Sequence, residues 1–127
     1  MSDAKAKIAV LVSGGGTNLQ ALIDAENSGL LRSGSIRLVI SNKKSAYALE
    51  RAAKAGIEAF AITRKSCGGQ KEFEQRLTEE IESRGIDLII MAGFMSILSE
   101  DFTRHFDHRI INIHPSLIPS FCGKGFY

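Results

Sequence analysis

Five short apolar runs, separated by longer amphipathic stretches, constrain the fold of this chain more than any other feature. The runs are rich in Val and Ile, as β-strands are, and cover Ile8–Val12, Arg37–Ser41, Glu58–Ile62, Asp87–Ala92 and Arg109–Ile113. Helical spacing of apolar residues lies between them, over Asn18–Ser28, over Ala46–Ala55, and from Phe73 through Leu77 to Ile81. The alternation predicts an α/β fold with a doubly wound, mostly parallel, Rossmann-like sheet covered by helices on both faces.

Glycines mark the predicted helix ends. Gly29, Gly56 and Gly85 each follow an amphipathic stretch, where a left-handed residue commonly ends a helix. At 127 residues the chain is long enough for one core and too short for two, so we expect residues 1–127 to form a single domain.

Composition excludes several classes of function. The net charge of +2 is too small to indicate a nucleic-acid partner, and the longest apolar runs are too short to span a membrane. The first seven residues are polar and no signal-peptide core follows them, so we expect a cytoplasmic protein. Cys67 and Cys122 lie far apart and fit free thiols, and no His/Cys cluster predicts a metal site. His105 and His108 are expected to be solvated, and Met91 and Phe94 to belong to the core.

A glycine-rich loop, Ser13–Asn18, joins the first predicted strand to the first predicted helix. Glycines let the backbone approach an anion closely, and a helix start offers unpaired N–H groups. The P-loop motif is excluded because Thr17 and Asn18 follow the last glycine, and the dinucleotide fingerprint is incomplete because Leu19 stands at its third glycine. The loop therefore favours a phosphate monoester, with a tight turn capped by an Asn or Thr as the alternative. A valine at Gly16 is expected to remove phosphate binding and leave the fold intact.

Asn112 and His114 form a second candidate site, at the end of the fifth run. In an extended segment, residues two apart point to the same face, so the amide and the imidazole are expected to project into one pocket. Pro115 lacks a backbone N–H and biases His114 away from helix, so the run leaves the sheet there. A carboxamide that binds a carbonyl oxygen, beside an imidazolium that donates a proton, suits attack on an acyl or formyl carbon. A structural histidine at a strand end is the alternative.

Four segments, taken in order, resemble the phosphoribosylglycinamide formyltransferase family, the folate-dependent enzymes of purine synthesis. The segments are Ile8–Gln20, Ile40–Lys43, Met91–Leu98 and Asn112–Pro119. The resemblance covers essentially the whole chain. It implies transfer of a formyl group from the cosubstrate 10-formyltetrahydrofolate to the amine of phosphoribosylglycinamide, with small-molecule partners and no metal.

The resemblance also implies roles for particular residues. Gly16, Thr17 and Asn18 would hold the phosphate of the ribonucleotide. Asn112 would contact the transferred formyl group, and His114 would be the catalytic acid. The folate pocket would be lined by Gln70, Met95, Ser96, Ile97, Leu98 and Asn112.

The chain departs from the family pattern at three places. Many members have an arginine where Ser96 stands and a basic residue where Gln70 stands, which reduces the charge expected near the folate glutamate; Lys71 is one candidate substitute. The family's mechanism also uses an aspartate well after the histidine, and the sequence ends at Tyr127 without an equivalent. We therefore expect a domain truncated at its C-terminal end and inactive, or nearly so, by itself.

Two further functions remain open on the sequence. Methionyl-tRNA formyltransferase and formyltetrahydrofolate deformylase resemble the chain around Asn112–Ser116, but they lack the phosphate loop. A non-catalytic phosphate- or nucleotide-binding module is the alternative from a different class, and detectable formyl transfer would decide against it.

Overall fold

The computed structural model describes residues 6–29 and 34–113, in which strands and helices alternate. The elements are β1 Ala6–Val12, α1 Thr17–Asn27, β2 Gly34–Ser41, α2 Tyr47–Lys54, β3 Glu58–Ala61, α3 Arg64–Cys67, α4 Gln70–Ser83, β4 Leu88–Ala92, α5 Glu100–His105 and β5 Ile110–Ile113. The five predicted strands are therefore all present, each within three residues of its expected bounds.

The strands form one sheet in the order β3-β2-β1-β4-β5, and every described pair is parallel. The chain moves outward from β1 in one direction through β2 and β3, and then in the other direction through β4 and β5. Because the crossovers of parallel strands are right-handed, this reversal places the first helices on one face and the later ones on the other. The predicted doubly wound fold is confirmed.

Two apolar layers enclose the sheet. On one face, Leu19 and Ile23 of α1 and Ala48 and Ala52 of α2 pack against one side of the strands. On the opposite face, the packing helices are α4 and α5, through Phe73, Leu77, Ile81, Phe102 and Phe106. Since β1 lies at the centre of the sheet and is covered on both faces, its residues from Ile8 to Val12 are almost fully buried.

The two short helices α3 and α5 were not predicted, because four and six residues are too few to show a helical repeat. Side-chain caps start both of them. Thr63 Oγ1 accepts a hydrogen bond from the Ser66 N–H at 3.1 Å, and Ser99 Oγ accepts one from the Phe102 N–H at 3.2 Å. The predicted C-terminal glycines are confirmed, with φ of 87° at Gly29, 77° at Gly56 and 64° at Gly85.

Several smaller predictions concern the surface and the core. His105 and His108 are exposed, and His105 Nε2 lies 2.7 Å from the Glu82 carboxylate. Met91 and Phe94 are partly buried against the α4 side of the core, as expected. Cys67 is a free thiol, whereas Cys122 lies outside the described residues. No helix in the described part of the chain is long and apolar enough to cross a membrane.

Candidate functional site

The carboxyl ends of β1 and β4 open onto a cavity of about 230 Å³. These neighbouring strands are the place where the winding of the sheet reverses, and ligands of open α/β sheets bind at such a switch point. The lining residues come from the loops after β1, β2 and β4: Ser13, Gly14, Gly15, Gly16, Thr17, Asn18, Lys43, Ala92, Gly93 and Met95. The structure thus places the predicted phosphate loop beside part of the predicted folate loop.

Helix α1 starts from this cavity without a side-chain cap. Gly16 is its N-cap residue, in the left-handed conformation with φ 81°, and its carbonyl accepts the first helical hydrogen bond, from the Gln20 N–H at 2.8 Å. Among residues 6–29 and 34–113, no side chain accepts a hydrogen bond from the first N–H groups of the helix. The Asn or Thr cap that the alternative requires is absent from the described residues, so no side-chain cap there uses the first N–H groups of α1.

The three glycines of the loop have different surroundings. A Cβ on Gly16 would lie 2.7 Å from the Cβ and 2.8 Å from the Cα of Ala48, whereas a Cβ on Gly14 or Gly15 would meet nothing within 4 Å. Gly16 is thus required by its positive φ and by the close approach of α2. The expectation that a valine at Gly16 leaves the fold intact is wrong, because the substitution collides with the α2 backbone.

A buried hydroxyl ties the loops of the cavity together. Ser13 is 3% exposed; its Oγ donates to Asn42 Oδ1 at 2.6 Å and accepts from the Met95 N–H at 2.7 Å. The ends of β1, β2 and β4 are therefore held by one side chain, so the cavity is preorganised before a ligand enters.

Lys43 is a cavity residue to which the sequence analysis gave no role. It follows β2, and a turn fixes its backbone: its N–H donates to Ser41 Oγ at 2.9 Å, and Ser41 Oγ donates to its carbonyl at 2.8 Å. The side chain is exposed and brings a positive charge to the glycine loop. Its position directly after a predicted strand, level with the glycine loop, was the available signal.

In the loop after β4, residues 93–98, side chains that pack on the protein alternate with side chains that are exposed to solvent. Phe94 and Leu98 pack on the core and Ser96 is buried, whereas Met95 is 78% and Ile97 84% exposed. Two large apolar side chains thus stand in solvent beside the cavity, which is typical of a surface that an apolar ligand covers.

Polar residues of α3 and α4 hold this loop from the side. Arg64 Nη2 donates to Ser96 Oγ at 3.1 Å, and Gln70 Nε2 donates to the Ile97 carbonyl at 3.0 Å. The guanidinium of Arg64 therefore lies beside Ser96, although position 96 itself has no basic residue. Sequence analysis missed Arg64 because it lies 32 residues from its partner.

Glu74 completes the support of the loop. Its carboxylate accepts from the Ser99 N–H and the Ser99 hydroxyl, both at 2.6 Å, and from Gln70 Nε2 at 2.7 Å. Burial disfavours the charged carboxylate, but the hydrogen bonds from Ser99 and Gln70 outweigh burial and lower the pKa of Glu74. A charged Glu74 thus fixes the residue that caps α5.

The predicted catalytic pair is described only in part. Asn112 lies in β5, paired in register with Met91 of β4, and is exposed. By strand alternation it shares a sheet face with Ile110, which packs on the α4 side of the core. His114 lies outside the described residues. Within the ranges that the structure describes, no three His, Cys, Asp or Glu side chains are grouped to hold a metal ion.

Comparison with known proteins adds independent information. Residues 6–126 match the family described as formyl transferase. The chain is 46% identical over 121 residues to phosphoribosylglycinamide formyltransferase of Haemophilus influenzae, covering 95% of this chain and 57% of that protein. For the Escherichia coli enzyme of the same name, the identity is 42% and the coverages are 91% and 54%.

Solved structures agree with these relatives. The phosphoribosylglycinamide formyltransferase from Brucella melitensis superposes with a TM-score of 0.85 at 34% identity, covering 93% of this chain and 61% of that one. The Coxiella burnetii protein of the same name gives 0.84 at 43% identity, with coverages of 93% and 55%. The chain thus spans about half the length of the two curated bacterial relatives.

Proposed function

The chain belongs to the formyl transferase family, and from this premise we propose that it transfers a formyl group from 10-formyltetrahydrofolate to the amine of phosphoribosylglycinamide in purine biosynthesis. The observation that carries the proposal is the cavity at the switch point, where a glycine loop and an uncapped helix start lie beside an exposed apolar loop. The names of the relatives support this choice of substrates.

We propose that the substrate phosphate binds at the N–H groups of Gly16, Thr17 and Asn18. These amides lie at the start of α1, where the helix dipole favours an anion and no side-chain cap from the described residues competes with it. Lys43 adds a charged group that can reach the same cavity. Gly14 and Gly15 leave open the space that side chains at those positions would occupy.

The folate cosubstrate fits the loop after β4. Met95 and Ile97 offer apolar surface to its ring system, and Arg64 offers a cation to its glutamate carboxylates. Gln70, which bonds to the Ile97 carbonyl, is assigned to the same pocket with Ser96, Leu98 and Asn112, as the resemblance implies. In this proposal Arg64, rather than Lys71, supplies the positive charge near the folate glutamate.

The reaction itself is assigned to the pair at the end of β5. The substrate amine attacks the formyl carbon of the folate and forms a tetrahedral intermediate. The intermediate collapses when the bond from that carbon to the folate nitrogen breaks, and the proton that the amine loses replaces this bond on the folate nitrogen. The Asn112 carboxamide donates a hydrogen bond to the formyl oxygen as that oxygen gains negative charge. His114, in its imidazolium form, donates a proton to that oxygen and takes it back when the formyl C=O bond re-forms. Holding the amine and the formyl group together removes much of the entropic barrier, which in well-oriented systems reaches roughly 7 to 11 kcal/mol.

The test is formyl transfer by the chain fused to the remaining part of the Haemophilus influenzae relative. His114→Asn is expected to lower turnover about 100-fold to 10,000-fold, the range of general acid catalysis, with folate binding retained. The matched control is His108→Asn, because His108 is exposed and its φ of 66° suits asparagine. Asn112→Ala is measured in the same assay.

Each outcome of this assay has a defined meaning. No transfer by the unsubstituted fusion, together with retained ribonucleotide binding, would favour the non-catalytic phosphate-binding module. Equal turnover of the two histidine variants would remove His114 from the mechanism.

The free thiol of Cys67 and the small-molecule substrates fit our placement of this activity in the cytoplasm, without nucleic acid or membrane partners.

A further inference from the structure

Arg51 of α2 contacts the phosphate loop from the side opposite to the proposed ligand. Its Nε donates to the Gly15 carbonyl at 2.6 Å, and its Nη1 donates to Gln20 Oε1 of α1 at 3.2 Å. The guanidinium also lies over the Tyr47 ring, 5.0 Å from the ring centroid. One side chain thus joins the loop, α1 and α2.

The Gly14 carbonyl is held in a similar way, because it accepts a hydrogen bond from the Ala48 N–H at 3.0 Å. Two consecutive carbonyls of the loop are therefore turned toward α2. In a trans peptide the N–H points opposite to the C=O of the same unit, so the N–H groups of Gly15 and Gly16 point away from α2. Both Gly15 and Gly16 line the cavity.

We propose that Arg51 is a positioning residue for phosphate binding; the proposal rests on the phosphate loop assigned above. Arg51 keeps the Gly15 carbonyl, which would repel a phosphate, on the α2 side and thereby presents the Gly16 N–H to the ligand. A guanidinium suits this role because its fixed fork bonds to two acceptors at once. Gln20 helps to orient the fork, since its own amide donates to Asp24 Oδ1 at 3.0 Å.

The experiment compares Arg51→Met with Lys54→Met, a control one turn along the same helix. Lys54 also lies over the Tyr47 ring, 5.8 Å from its centroid, and its loss removes the same charge without a bond to the loop. Ribose 5-phosphate is titrated into each ¹⁵N-labelled chain, with ribose as the phosphate-free control. The shifts of the Gly15, Gly16 and Thr17 amides report binding at the loop itself.

We expect Arg51→Met to weaken ribose 5-phosphate binding about tenfold to a hundredfold, as for loss of a charged hydrogen bond, and Lys54→Met to stay within about twofold of the unsubstituted chain. Arg51→Lys keeps the charge and one donor, so an intermediate affinity is expected. If Arg51→Met does not fold, Arg51→Lys decides, and an affinity equal to that of the unsubstituted chain overturns the proposal.

Two other results also overturn the positioning role. The first is an affinity of Arg51→Met equal to that of the unsubstituted chain. The second is a loss of affinity in Lys54→Met as large as that in Arg51→Met, which would attribute the effect to net charge. Failure of the unsubstituted chain to bind ribose 5-phosphate is a different outcome, because it rejects the phosphate loop and with it the proposed function.

Discussion

The neighbouring residues Gly15 and Gly16 of the proposed phosphate loop differ in backbone conformation and in the space around them. Gly16 has φ 81° and lies against Ala48, while Gly15 has open space around its Cα and no positive φ. Gly16→Ala is expected to lower the free energy of unfolding by about 2 kcal/mol or more, from left-handed strain and the collision with α2. Gly15→Ala is the matched control and should change it by less than about 0.5 kcal/mol. Urea unfolding measures both; similar losses would contradict this account of the loop.

Arg64 permits a test of charge at the folate loop. In the fused enzyme described above, Arg64→Met should raise the KM for 10-formyltetrahydrofolate about twofold to fivefold and leave kcat unchanged, as expected for an ion pair made by an exposed arginine. The effect should shrink at high salt. Lys65→Met is the control, since Lys65 is the exposed neighbour. An equal KM change for both variants would show that Arg64 has no specific role.

Candidate site residues could be picked out from the sequence where they directly follow a predicted strand. Residues that act through a partner far away in the sequence could not be picked out in this way. The glycine loop was predicted because glycines beside a predicted helix start have a local meaning. Arg51 and Arg64 were missed because their partners lie 36 and 32 residues away, and nothing local to α2 or α3 marks them. Lys43 stood at a predicted strand end, and only the cavity gave it a role.

Helix α4 supports the site through a carboxylate rather than through its apolar face. The lowered pKa of Glu74 means that its charged form is bound more tightly in the folded chain than in the unfolded one, where the pKa is near its ordinary 4.5. The contribution of Glu74 to the free energy of unfolding is therefore complete when the pH is above the unfolded pKa. This contribution is lost as the pH falls below the unfolded pKa and through the lower folded pKa.

Glu74→Gln should therefore lower the free energy of unfolding by about 1 kcal/mol at pH 7. The difference from the unsubstituted chain should shrink as the pH falls below 4.5, because both chains are then neutral at this position. Glu79→Gln on the same helix is the control, since Glu79 is exposed and, within the described part of the chain, accepts a hydrogen bond only from Gln75, at 3.4 Å. Unfolding curves across pH measure this; a difference independent of pH would contradict the assignment.

The elements themselves were predicted to different degrees. All five strands were predicted from short apolar runs, four of them rich in Val and Ile, whereas β3 from Glu58 to Ala61 contains neither residue. Helix α4 followed from the spacing of Phe73, Leu77 and Ile81. Strand β2 starts at Gly34, three residues before its predicted start, because Gly34, Ser35 and Ile36 pair with β1 although the first two are not apolar. Helices α3 and α5 depend on caps and on tertiary support such as Glu74, neither of which produces a periodic pattern.

For the whole molecule, the edge of the sheet at β5 connects fold and function. Strand β5 pairs with β4, and its Ile111 is 48% exposed although the residue is strongly apolar. Asn112 is exposed on the same strand, so the side chains nearest the proposed chemistry have little protein around them in the described part of the chain. The curated bacterial relatives are about twice as long as the matched region, which leaves ample chain in them to cover this edge.

We therefore predict that the 127-residue chain by itself transfers formyl groups at least about 100-fold more slowly than the fusion carrying the rest of the Haemophilus influenzae relative. The resemblance implies an aspartate after the histidine that favours its protonated form. Residues 115–127 contain no aspartate, so we expect the fusion to supply it. Covering Ile111 should also raise the melting temperature, since buried apolar area stabilises a fold. Changing that aspartate to asparagine within the fusion separates the two effects, because this variant should keep the stability and lose the turnover. Equal turnover of the short chain and the fusion would show that the residues needed for catalysis all lie within the 127.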